Sequence, residues 1–276
     1  MPRLGTRKLS YLLSAELKPL GIGRDKLFAI LRANHLLIAA RRSYRTTTNS
    51  HHRFHKHPNQ LSGLSVDGPE QVWVCDITCL GSRDQPAYLA LITDAYSKKI
   101  MGYSVSEHLD TANCIQALRM AVSNRSYKNQ PLIHHSDRGI QYCSDAYQQA
   151  LAVKGISCSM TQSYDPYENA VAERVNGILK QEFELDSYRM AINQLRKVTE
   201  EAISIYNKER PHYSNHMCTP EQMHQQRQIK MKTYRRNPVI IEEESIALGT
   251  HNEAAGLGPA ASTEMKNLSS KPVSVI

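Results

Sequence analysis

The sequence predicts an α/β protein: a mixed five-stranded sheet with helices on both faces, preceded by a small helical region. Three observations predict it. Strand-type alternation and helix-type periodicity follow one another in the order βββ-α-β-α-β-α between about residues 70 and 207. A chain of 276 residues, 41% hydrophobic and 22% charged, has the composition of an ordinary globular protein with room for one sizeable core and one small domain. Basic charge is also concentrated at the start. Residues 1–60 hold twelve Lys and Arg against only Glu16 and Asp25, so of the net +8 nothing positive remains beyond residue 60. A localised basic region favours a polyanion as partner, nucleic acid before membrane.

Taken in order, Leu9, Leu12, Leu13 and Leu17 share a helical face, Lys18-Pro-Leu-Gly-Ile-Gly23 breaks it, and a second helix starts near Arg24 with Leu27, Ile30 and Leu31 inward. Two short amphipathic helices about a Pro/Gly turn, with Arg24, Lys26 and Arg32 outward, suit a DNA-binding helix-turn-helix over residues 1–38. Residues 39–68 read as a basic linker that lies along DNA phosphates, with Arg41 and Arg42 among its cations. Its histidines His51, His52, His55 and His57 lack a Cys-x2-Cys partner for zinc and read as solvated.

A catalytic-sized domain is expected over residues 69–225. Gln71–Leu80 alternates with Val72, Val74, Asp76 and Thr78 on one side; Ala87–Thr93 and Ile100–Val105 read as strands joined through a turn at Asp94. Thr111–Asn124 is helical with Cys114, Ile115, Leu118 and Val122 inward. Leu132–His135 is a short strand running into Ser136-Asp137-Arg138-Gly139. Ser144–Lys154 is a helix, Ile156–Met160 a strand, and Met190–Asn207 a further helix. Between the last two, Tyr-Asp-Pro supplies a turn, Asn169 or a neighbour caps, and Val171, Val175, Ile178 and Leu179 give one apolar face from Ala170 onward. Asn169, Glu173 and Lys180, spaced four and seven, fall on another side of that helix. Residues 226–276 turn polar and read as a disordered tail. The six scattered cysteines suit reduced core thiols, no apolar run reaches membrane-spanning length, and the short apolar start is no signal peptide. The chain is expected in the cytoplasm.

The order of elements is that of an RNase H-like domain. In such a sheet the first and fourth strands are neighbours and the last helix crosses their ends, so Asp76, Asp137 and Glu173 converge. A mid-strand carboxylate among apolar residues is costly unless paired or bound to a cation. Three clustered carboxylates repel, and hard oxygen ligands suit Mg²⁺ or Mn²⁺; two such ions serve in-line phosphoryl transfer. Asp94 reads as a turn residue, His134, His135, Trp73 and Tyr142 as packing groups. Arg138 and Gln141 either contact substrate phosphate or stay with the backbone; Arg210 and His212 either touch DNA or fix the end of the last helix.

The runs WVCDIT, HHSDRGIQYCS, SMTQSYDPYENAVAERVNGILKQEF and YNKERPH…TP, with thirty-five residues between Asp137 and Glu173, resemble the transposases of the bacterial IS-three family, within the DDE retroviral-integrase superfamily. The likeness covers about residues 1–225. It implies that Asp76, Asp137 and Glu173 are the metal-binding catalytic triad and that Lys180 touches DNA near the reacting phosphate. It implies DNA as substrate, element ends and target alike, a multimer on paired ends, and fusion or partnership with an upstream-frame DNA-binding protein. The segment before Glu173 reads Glu168-Asn169-Ala170 where the family often has Asp-Asn-Ala; five residues turn Glu168 about 140° away from Glu173 and make it a poor rival ligand. The function expected is metal-dependent phosphodiester cleavage and strand transfer. A silent DNA-binding remnant, or an RNase H-like nuclease without strand transfer, are the alternatives.

Overall fold

A computed structural model describes residues 1–38, 54–81, 85–162, 169–187, 189–227 and 229. Five strands form one sheet: β1 Val72–Gly81, β2 Pro86–Asp94, β3 Ile100–Ser106, β4 Ile133–Ser136 and β5 Ser157–Met160. Their spatial order is β3-β2-β1-β4-β5, antiparallel across the first three and parallel from β1 through β4 to β5. The expected mixed sheet is therefore present, with the strand order of an RNase H-like domain.

Alternation along β1 and β2 splits the core into two layers, because successive side chains point to opposite faces. Trp73, Cys75, Ile77, Ala90 and Ile92 face one side. They pack there on Cys114, Ala117, Leu118 and Ala121 of helix α4 (Thr111–Ser123) and on Tyr147 and Leu151 of α6 (Asp145–Ala152). On the other side Leu80, Leu89 and Leu91 meet Val175, Ile178 and Leu179 of α7 (Ala170–Glu182) and Leu195, Ala202, Ile203 and Tyr206 of α8 (Ile192–Lys208). Helix α4 lies so close to β3 that a Cβ on Gly102 would sit 2.2 Å from the Ala117 carbonyl oxygen; only glycine permits that approach. Asp110 caps α4 by accepting from the Asn113 N–H. Ser144, expected inside α6, is its N-cap, and the helix stops at Ala152 before Gly155 at φ +64°.

Two short helices escaped the periodicity analysis: α5 (Ile140–Cys143), a single turn, and α9 (Pro220–His224), which opens on a Thr219/Gln222 capping box. The N-terminal region also differs from expectation. The first helix is broken at Leu13 into α1 (Thr6–Leu12) and α2 (Ser14–Leu17), followed by α3 (Arg24–Ala33). Leu27 is buried as foreseen and Leu9, Leu17 and Leu31 are half-buried, while Leu12, Leu13 and Ile30 are 43%, 36% and 40% exposed.

The expected linker is partly structural. Pro58 accepts a 3.4 Å backbone bond from Met160, Gln60 bonds to Ser159 and Cys158, and Leu61, 3% exposed, enters a core cluster with Val72, Val74, Ala95 and Ala172. Arg41, Arg42, His51, His52, Glu168 and nearly all of the 226–276 tail lie outside the described residues. All six cysteines carry thiols, four of them buried. Among the described residues no helix is long and apolar enough to cross a membrane.

Candidate active site

The parallel pairing of β1 with β4 builds the centre of the site. The register sets Cys75 against Ser136, so the next residues on each chain, Asp76 and Asp137, stand side by side where β4 ends. Paired strands run about 4.8 Å apart. Asp76 shares the sheet face of Val72 and Val74, the face that α7 covers. Its Oδ1 accepts from the Ile77 N–H at 2.8 Å and its Oδ2 from Asn176 Nδ2 at 2.8 Å. Asp137 Oδ1 accepts from the Gly139 N–H at 3.0 Å, a bond that closes the turn after β4. Glu173 lies in the first turn of α7, one turn before Asn176.

Electrostatics joins the three carboxylates. Burial and then the Asp137 charge push the Asp76 pKa up to about 7; the Ile77 and Asn176 hydrogen bonds pull it back and Glu173 pushes it further up. Glu173, exposed as a residue but partly desolvated against its neighbours, is raised by that partial burial. A carboxylate brought to this state has too little positive charge around it, and hydrogen bonds alone do not supply the deficit. Among the described residues no three His, Cys, Asp or Glu side chains are gathered tightly enough to hold a metal ion. Asp76 and Asp137 are juxtaposed, while Glu173 faces solvent on the covering helix, the separation that like charges favour.

The other singled-out residues divide clearly. Lys180, in the last turn of α7, is half-buried, and Arg138 is half-buried beside Asp137. Arg24, Lys26 and Arg32 are exposed on α3, Arg24 paired with Asp25 at 2.7 Å and Arg32 set over the Phe28 ring. Asn169, expected on the Glu173 side as a DNA contact and as a cap, is turned inward instead: it is 7% exposed, makes no side-chain cap, and donates from Nδ2 to the Cys75 carbonyl at 3.1 Å. The strand carbonyl lies within its reach, and a buried amide takes the partner at hand.

His134 and His135 pack as expected. His134 Nε2 meets Tyr147 OH at 2.8 Å and burial lowers its pKa to about 3, so it is neutral; His135 Nδ1 meets Ser159 Oγ at 2.9 Å. Asp94, expected in the turn, is the last residue of β2, fully buried, and its side chain holds the turn that follows by accepting from the N–H and the Oγ of Ser97 as well as from the Glu70 N–H. Gln141 stays with the backbone, donating to the Leu109 carbonyl. Arg210 is 1% exposed and bidentate to Glu182 at 2.8 and 2.7 Å, and His212 packs edge-on to Tyr206, so both fix the end of α8. Sequence reasoning missed Asn176. Its signal was an amide within a stripe of Ala172, Val175 and Leu179, a place where a polar side chain needs a reason.

The arrangement is that of an integrase-type catalytic core, and the comparisons agree. The Integrase core domain family matches residues 66–166, and a second family of the same description matches residues 154–220. The insertion element IS600 uncharacterized 31 kDa protein of Shigella sonnei is 36% identical over 216 residues, spanning 75% of this chain and 76% of that one. Transposase InsF for insertion sequence IS3A of Escherichia coli K12 is 32% identical over 181 residues, 65% of this chain and 62% of that one. The putative transposase for insertion sequence element IS986/IS6110 of Mycobacterium tuberculosis is 36% identical over 118 residues, 41% of this chain and 42% of that one. In fold, the chain resembles a chain of the simian T-cell lymphotropic virus intasome, with a TM-score of 0.50 at 18% identity, over 85% of this chain and 79% of that chain. The chain belongs to the insertion-sequence transposases of the DDE integrase superfamily, DNA-acting polynucleotidyl transferases of transposition.

Proposed function

We propose that Asp76, Asp137 and Glu173 are the catalytic carboxylates of this transposase. The observation that carries the reading is the Cys75–Ser136 pairing, which sets Asp76 beside Asp137 under the helix that bears Glu173. The donor set suits a divalent metal: its atoms are hard carboxylate oxygens, and burial and like charge leave Asp76 short of a cation. Asp76, Asp137 and Glu173 would hold two Mg²⁺ or Mn²⁺ ions, which when bound supply Lewis acidity to an in-line displacement at phosphorus.

The chain's own residues do the rest. Asp76, fixed through both oxygens by Ile77 and Asn176, and Asp137, fixed by Gly139, hold their carboxylates on one side of the reacting phosphodiester. In cleavage, water adds to phosphorus at the element's end and the 3′ oxygen leaves, taking a proton to become the 3′-OH. In strand transfer that 3′-OH adds to a phosphorus of the target strand, and the target's own 3′ oxygen leaves. One bond forms and one breaks in each step, and no nucleotide triphosphate is consumed. Lys180 and Arg138 neutralise phosphates beside this centre. Arg24, Lys26 and Arg32 on α3, with Arg41 and Arg42, grip DNA further away. The protein works as a multimer on paired ends, alongside an upstream-frame partner, in the cytoplasm and on the nucleoid when active.

The test is strand transfer with labelled element ends in Mg²⁺ or Mn²⁺, wild type beside Glu173→Gln. Joined product from wild type, none from the variant, and equal DNA binding by both is the expected result. Cleavage without joining by wild type would overturn it in favour of a nuclease.

A further inference from the structure

Helix α7 and strand β1 are joined by two buried amides. Asn169 Nδ2 donates to the Cys75 carbonyl at 3.1 Å and Asn176 Nδ2 donates to Asp76 Oδ2 at 2.8 Å. The residues are seven apart and so lie on one stripe of the helix, about two turns from each other. Their acceptors belong to consecutive residues of β1. Both side chains are withdrawn from water, at 7% and 4% exposed, and the Oδ1 of each is buried without a partner among the described residues. Their stripe is otherwise apolar, with Ala172, Val175 and Leu179 all buried, a setting that by packing alone would take a leucine. Half-satisfied amides in such a place are expensive. Glu173 sits between them, four residues after Asn169 and three before Asn176.

We propose that Asn169 and Asn176 are positioning residues that set the register of the Glu173 helix on the Asp76 strand, and that Asn176 in addition aims the Asp76 carboxylate at the cation. This rests on the carboxylate reading above. The amides touch neither DNA nor the reacting atoms. Asn169 fixes the start of α7 to β1, and Asn176 fixes the second turn, so the helix can neither slide nor roll over the strand without breaking one of them. By occupying Oδ2 from the helix side while the Ile77 N–H occupies Oδ1, Asn176 holds the Asp76 carboxylate in one orientation. Partners that orient metal-binding groups in this way contribute about 10–100-fold to affinity or activity.

The experiment is Mn²⁺ binding by calorimetry on the full chain, together with the strand-transfer rate across a Mn²⁺ series. It compares wild type, Asn176→Leu, Asn169→Leu, both together, and Asp76→Asn. Leucine keeps the γ-branched shape of asparagine and removes its donor, so the fold should persist. Asn176→Ala is measured beside it, to cover the case in which leucine lowers the melting temperature. The expected result for Asn176→Leu is an unchanged melting temperature, Mn²⁺ affinity about tenfold weaker, and a strand-transfer rate that recovers in part at high Mn²⁺. Asn169→Leu should show a smaller loss of the same kind, and the double variant a loss that is not the product of the two, because the residues share one task. Wild-type Mn²⁺ affinity in both Asn176 variants, while Asp76→Asn loses it, would overturn this inference alone. Wild-type affinity and rate in Asp76→Asn would overturn the carboxylate reading beneath it.

Discussion

Asp76 is half-buried and Glu182 buried, and both are tied to the same helix, Asp76 at its middle through Asn176 and Glu182 as its last residue, yet their surroundings are opposed. Glu182, 9% exposed at the end of α7, accepts from Lys8 Nζ at 2.7 Å and from Arg210 through both of its oxygens. Burial pushes its pKa up, but the Arg210 hydrogen bonds and charge, with Lys8 behind them, bring it below the ordinary glutamate range. Asp76 has two amide donors and two further carboxylates, and its pKa rises to about 7. One site is complete within the chain. The other asks for positive charge from outside it. The lesson is that burial of a carboxylate says little by itself; the balance of charge around it separates a structural lock from a place where chemistry is done.

Asp76→Asn should break the comparison most sharply. Strand transfer should fall by about 10²–10³-fold or more, the scale of losing a group that acts at the reacting centre. The melting temperature should hold or rise, because the change removes a repelled charge. A gel assay of joined product and a thermal scan check the two halves, and a fall in both together would mean that Asp76 is structural after all.

At Glu182 the same neutralisation should do the reverse. Glu182→Gln leaves Arg210 charged at 1% exposure, and breaking a buried pair from one side costs about 3–5 kcal/mol. Urea denaturation would read this as a lowered midpoint. Replacing both partners, Glu182→Leu with Arg210→Met, should recover most of the loss, which sharpens the contrast by showing the lock to be replaceable by packing.

A third carboxylate refines the picture with pH. Burial opposes the ionised form of Glu70, but His224, the Ser126 and Tyr127 N–H groups and Arg125 bring its pKa down to about 2. His224 is lowered by burial, but more than restored by Asp94 and Glu70, and ends above its usual value of 6.5. Stability from Glu70 is present above about pH 4.5 and is lost as pH falls toward 2. Stability from His224 is full below about 6.5 and is lost as pH rises through its higher folded value. The contribution of the Glu70–His224 pair should therefore be greatest between about pH 4.5 and 6.5, and His224→Gln should flatten the fall in melting temperature on its alkaline side. The expected change is about 2–4 °C, what roughly 1 kcal/mol produces in a domain of this size.

Much of this was legible in the sequence, for identifiable reasons. β1 and β2 read as short apolar runs because each is covered on both faces by different helices, and the placement of Asp76 beside Asp137 followed once the element order was taken as an RNase H-like sheet. The apolar face of α7 was legible too, since Val175, Ile178 and Leu179 recur at helical spacing and are buried. What escaped depends on partners remote in sequence. The Glu182–Arg210 lock spans 28 positions, and the sequence therefore left Arg210 open between a DNA contact and a group that fixes the end of the last helix. Asn176 and Asp76 are 100 positions apart, and nothing near the amide in sequence points to that partner. Residues 54–61 have no periodicity to read, because they are held by single bonds to a strand and not by an element of their own. In the N-terminal helices the pattern overstated burial, since Ile30 and Leu12 had no opposing surface to meet.

The way Pro58, Gln60 and Leu61 lie along β5 has a practical consequence for dissecting the protein. Sequence patterning would cut the catalytic portion at residue 69, but that cut uncovers the Met160 N–H and the Cys158 carbonyl along the sheet's margin and removes Leu61 from its place against Ala172. An unclothed margin of that kind is a template for pairing with another molecule and a route to aggregation. A fragment that begins upstream of Phe54 keeps its own cover, and should stay in solution where the shorter one precipitates.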